Sequence, residues 1–185
     1  MKQLLKIGAI TGLIGGSLFI LFMLILFWAG KNPLGDAKSG EFFVVLVVFA
    51  GLYFLYRFQL TFRQGFFMGS VATLVIVVMS ALFMYVFFGN KSNQSLDKHT
   101  KKLIHMVENS PNNKQRIETA NKQGKNGKEE LDKFIATLKA TSRSEWLNRI
   151  VFQDIKAKIS LGLIISLLLS LVLRKYRPKE AAPAK

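Results

Sequence analysis

One acid and one base, Asp154 and Lys158, stand four residues apart at the edge of an apolar run, Ile159 to Leu173. An ionisable side chain bordering so greasy a segment is a functional candidate by default. Acid before base at this spacing is the favourable order for a pair on one helix face, and Lys156 between them can reach water. The pair therefore reads as an interfacial ion pair, anchoring a helix where lipid meets water, with an ion or proton site as the alternative. His99, His105 and Glu108 are the other residues of metal-binding type. His105 and Glu108 share a helical spacing that His99 misses, and two ligands are too few for a structural zinc site, so they read as surface residues. Ser, Thr and Tyr are scattered without a base and acid to activate them, and no glycine-rich phosphate loop accompanies them. The absence of cysteine removes disulfides, thiolate metal sites and cysteine nucleophiles. The expectation is a protein that is not an enzyme and takes no cofactor or metal.

The elements that must position these groups are long and apolar. Ile7 to Ala29 and Phe66 to Phe88 contain no acid, base or histidine, and each exceeds the roughly 20 residues that cross about 30 Å of hydrocarbon. Phe42 to Tyr56 is extended past Arg57 by Phe58, Leu60 and Phe62, and the run ending at Leu173 is lengthened upstream by Ile150, Val151, Phe152 and Ile155. The expected fold class is all-α integral membrane, with four transmembrane helices and a helical extracytoplasmic insertion between helices 3 and 4. Residues 1–89 hold spans at about 7–29, 40–60 and 64–88. Residues 90–149 form the insertion, 150–175 the fourth span, and 176–185 a basic, disordered cytoplasmic tail. Lys2 and Lys6 before an apolar stretch resemble a signal peptide, but the stretch is longer than a signal core of about 7–15 residues and no small-x-small site follows Trp28, so the helix is read as retained. Lys2, Lys6, Arg57, Arg63, Arg174, Lys175, Arg177, Lys179 and Lys185 all fall on one side of this threading, which places both termini in the cytoplasm of a bacterial inner membrane. The net charge of +15 lies largely beside the spans, where it serves anionic lipid, and no aromatic-basic motif points to nucleic acid.

Three spans carry small residues four apart: Gly8, Gly12 and Gly16; Gly65, Gly69 and Thr73; Gly162, Ser166 and Ser170. In lipid, where hydrophobic drive between helices is weak, such stripes let backbones approach and pack, within one chain or as a homodimer seam. In the insertion, Leu96, Leu103, Ile104 and Val107 and then Leu131, Phe134, Ile135 and Leu138 recur at helical spacing, predicting a helical hairpin broken at Asn109–Asn113 and Gly124–Gly127. Ser142-Arg143-Ser144-Glu145 has the form of a capping box that opens a helix continuous with the fourth span. The stripe Leu131, Phe134, Ile135 and Leu138 is the candidate partner-facing surface, although packing on the other stripe or lying on lipid would use it equally.

The stretch Leu60-Thr61-Phe62-Arg63-Gln64-Gly65-Phe66-Phe67-Met68-Gly69 and the ending Ile159 to Lys175 resemble an uncharacterised bacterial inner-membrane family, domain of unknown function 4199. The resemblance implies four helices with a polar helical segment before the last, and it brings no activity, ligand or catalytic residue. The expected role is a non-catalytic structural or accessory subunit of an inner-membrane complex, partnered by the bilayer and by other membrane proteins or further copies of itself. A small transporter or channel is the second expectation, with Thr11, Ser17, Ser70, Thr73, Ser80, Ser166 and Ser170 as lining groups. A module binding anionic lipid or envelope through the basic insertion is the third.

Overall fold

The computed structural model of the chain describes residues 2–35, 61–122, 124 and 126–175. Among them are helices α1 (Lys2–Trp28), α2 (Phe62–Gly89), α3 (Ser95–Glu108), α4 (Asn113–Lys122), α5 (Gly127–Ala140) and α6 (Arg143–Lys175), and no strand. The span expected at 40–60 and the tail at 176–185 lie outside the described residues. Both α1 and α2 are long and apolar enough to cross a membrane.

The helix ends follow local chemistry. At the end of α1, Gly30 takes φ +72°, Lys31 N–H donates to the Leu26 carbonyl (2.9 Å) and Gly30 N–H to that of Phe27 (3.1 Å), a Schellman closure that only a residue tolerant of positive φ makes without strain. Thr61 and Gln64 form a reciprocal cap at the start of α2: Thr61 N–H donates to Gln64 Oε1 (2.9 Å), and Gln64 N–H to Thr61 Oγ1 (3.4 Å). Ser142 and Glu145 do the same for α6, at 3.0 and 3.3 Å.

The chain divides into two compact units, Met1–Met84 with Val151–Lys185, and Tyr85–Ile150. In the first, α1 lies against α2 along its glycines. A Cβ at Gly8 would stand 2.8 Å from the Met68 carbonyl oxygen, one at Gly12 2.7 Å from that of Ala72, and one at Gly16 2.6 Å from Met79 Sδ. These partners ascend together, so α1 and α2 run parallel. Between α2 and α6 the order reverses, because Gly69 meets Ser166 and Gly162 meets Thr73, which makes that pair antiparallel. Phe19, Met23, Met68, Ala72 and Ile76 are buried, while Leu13, Ile14, Leu74, Val78 and Leu82 point outward.

The second unit holds three helices between the end of α2 and the start of α6, one more than the expected hairpin. The additional helix, α4, has only Ile117 and Ala120 as apolar residues, so it carries no hydrophobic stripe of its own. It forms against α5: Gly127 N–H donates to Asn121 Oδ1 (2.8 Å), and a Cβ at Gly127 would stand 2.7 Å from Ile117 Cα. α5 packs on both α3 and α4.

Candidate functional site

The first unit encloses an ion pair. Lys158 Nζ donates to Asp154 Oδ2 at 2.5 Å, one helical turn apart on α6, and lies 3.7 Å from the centroid of the Phe19 ring on α1. Ser80 of α2 brings its Oγ to 3.5 Å from the same carboxylate oxygen while donating to the Val77 carbonyl at 3.0 Å. The Lys158 side chain has no exposed surface, and Asp154 keeps 13%. A desolvated ammonium persists only with a counter-ion and polarisable neighbours, here the carboxylate and the negative face of an aromatic ring. Lys156, between them, is exposed, with Nζ 4.5 Å from the Phe152 ring.

Along its own helix Lys158 borders an apolar run, and the packing of α6 sets it against Phe19, near the middle of the uncharged stretch Ile7–Ala29.

The small residues are gathered at helix contacts. Gly8, Gly12 and Gly16 face α2; Gly69 and Thr73 face Ser166 and Gly162; Gly65 is buried. The hydroxyls in these seams turn to their own backbones: Ser70 donates to Phe66, Thr73 to Gly69 and Ser166 to Gly162, at 2.9, 2.9 and 2.6 Å. Ser170 is buried with Oγ unpaired among the described residues, Thr11 is half-buried and Ser17 is exposed.

Within the second unit, the four residues of the candidate partner-facing stripe differ in exposure: Leu138 is buried, Leu131 and Ile135 are half-buried, and Phe134 is exposed. Glu108 pairs with Lys139 at 2.7 Å, and His105 is exposed. His99 is half-buried with Nδ1 unpaired among the described residues, and burial, followed by the charge of Lys102, lowers its pKa from 6.5.

The organising residue here, which the sequence did not single out, is Arg143. Its guanidinium pairs with Asp97 of α3 and donates to the carbonyls of Phe88, Asn90 and Asn93 at 3.0, 3.1 and 2.7 Å. A cation at the last carbonyls of α2 satisfies acceptors that the helix leaves open and opposes the negative end of its dipole. Asn93 supports the corner, donating from Nδ2 to the Phe87 carbonyl (3.2 Å) and accepting from Ser95 N–H (2.9 Å). The only sequence signal was the capping box around Arg143, which marks a helix start and says nothing of what the guanidinium reaches.

A family model described as Protein of unknown function (DUF4199) matches residues 10–175. No curated protein matches, and neither does any solved structure. The chain belongs to the DUF4199 family.

Proposed function

From membership of a family with no assigned activity, we propose that the chain is a non-catalytic structural or accessory subunit of a bacterial inner-membrane protein complex, crossing the bilayer four times with both termini in the cytoplasm. The observation that carries this reading is the seam of the first unit, where glycines bring backbones together and hydroxyls turn to their own helices. A close-packed seam of this kind builds a scaffold, which is what an accessory subunit needs. The parallel course of α1 and α2 supports four crossings. Each is about 40 Å long at 1.5 Å per residue, enough to cross the hydrocarbon of a bilayer, and α6 runs antiparallel to α2 beside them. The outward Leu13, Ile14, Val78 and Leu82 suit lipid or a neighbouring membrane helix.

Purification in mild detergent tests the role. One partner chain should co-elute in fixed ratio, be recovered reciprocally when that partner carries the tag, and persist after gentle crosslinking. A chain that elutes alone in every arm overturns it.

A second reading, a small transporter or channel, is favoured by the enclosed Asp154–Lys158 pair, since such groups mark ion paths in membrane proteins. Flux through reconstituted liposomes that vanishes in Asp154→Asn would support it over the subunit reading. Absence of flux in the unmodified protein removes it.

A further inference from the structure

We propose that the exposed face of α3 is a binding site for anionic phospholipid headgroups, with Lys98, Lys101 and Lys102 as the contacting cations and Met106 as the apolar residue beside them. The inference rests on the membrane reading of α2 and assigns a ligand class to one helix of the second unit.

The fold separates the charges of α3 by sign. The helix carries two carboxylates, and each is engaged from another element: Asp97 by Arg143 at the start of α6, and Glu108 by Lys139 on α5. Lys101 and Lys102 lie three and four residues beyond Lys98, one turn along the helix; all three are exposed, and none has an ion-pair partner among the described residues. A segment that looks mixed in sequence therefore presents a one-sign surface. Met106, four residues beyond Lys102, is 52% exposed and could enter the boundary between headgroups and acyl chains.

The choice of lipid over another polyanion comes from what holds the helix. Arg143 grips Asp97 of α3 and the Phe88 carbonyl of α2 with one guanidinium, so the first turn of α3 is fastened to the last turn of an apolar helix. Tyr85 and Val86 in that last turn are exposed, Val86 at 77%, as expected of a segment leaving hydrocarbon. If α2 spans a bilayer, headgroup phosphates are the anions at that end, and long lysine stems reach them while covering apolar surface.

The test uses the full chain in nanodiscs of phosphatidylcholine alone or mixed with phosphatidylglycerol. A water-soluble amine-acylating reagent is applied to each, and modification is read lysine by lysine by mass spectrometry. Lys98, Lys101 and Lys102 should be modified several-fold more slowly in the anionic discs, with Lys114 and Lys122 of α4 unchanged and the difference lost at high salt. The triple variant Lys98→Gln, Lys101→Gln, Lys102→Gln should lose the added amide-exchange protection of α3 that anionic discs confer on the unmodified chain. Equal modification in both discs overturns the site, as does equal slowing at Lys114 and Lys122. Slowing produced by inorganic phosphate in phosphatidylcholine discs overturns the assignment to lipid. A chain that refuses discs and stays monodisperse without amphiphile defeats the membrane reading itself, a result distinct from the failure of this site.

Discussion

Lys158 and Lys102 show what separates the two units. Both lysines sit on helices with carboxylates nearby, yet one is sealed beneath a ring in the first unit and the other stands in solvent in the second. The first unit spends an acid, a hydroxyl and an aromatic face on a single enclosed cation. The second pairs its α3 acids with cations from other elements and leaves the α3 lysines outside. Charge is an internal organising element in one unit and a displayed surface in the other. A residue type thus says little about its role until the neighbours that desolvate or neutralise it are known.

The largest expected effect attacks the sealed charge. Lys158→Ala leaves Asp154 without its counter-ion, and breaking one side of a buried pair costs about 3–5 kcal/mol. Thermal unfolding in detergent should show that loss, and the double variant Asp154→Leu, Lys158→Met should recover most of it, because an apolar replacement of both partners removes the uncompensated charge. A single variant as stable as the double one would break the comparison, since the pair would then behave like the solvated charges of the second unit.

Arg143→Ala comes next. It removes charge-assisted hydrogen bonds to Asp97 and to three carbonyls, of which the fully satisfied ones are worth about 1.5–3 kcal/mol, reduced here by the partial exposure of the pair. Amide exchange should quicken at the start of α3 and in the last turn of α2, while the Gly8–Gly16 seam of α1 keeps its rate. Quickening along α1 as well would show the two units to open as one.

The smallest effect is a pH dependence confined to the second unit. Burial and Lys102 hold the His99 pKa below 6.5, so the unfolded chain binds the proton more readily than the folded one. Stability contributed there is present above the unfolded value and is lost as pH falls through the folded one. Acidifying from neutrality should therefore destabilise α3, by amide exchange, and His99→Asn should flatten that part of the profile. An unchanged slope in the variant would assign the dependence to another group.

Composition and local pattern alone carried much of the architecture. Two uncharged apolar stretches specify helices whatever surrounds them, because their length and lack of charge leave few other ways to satisfy the backbone in an apolar setting. The Ser142–Glu145 box was legible for the same reason: a cap is closed by residues three apart and needs no distant partner. The glycine spacing identified faces for close approach, although it did not say which helix each would meet. What escaped the sequence depended on contacts between residues far apart in the chain. α4 is held by Ile117 and Asn121 against Gly127. Arg143 acts across 46 residues on Asp97. The depth of Lys158 is the clearest instance. Its own helix places it at the border of an apolar run, and only the antiparallel register of α6 against α2, with α1 alongside, sets it opposite Phe19 and its partner Asp154 opposite Ser80. Burial is a property of neighbours, and neighbours are chosen by packing.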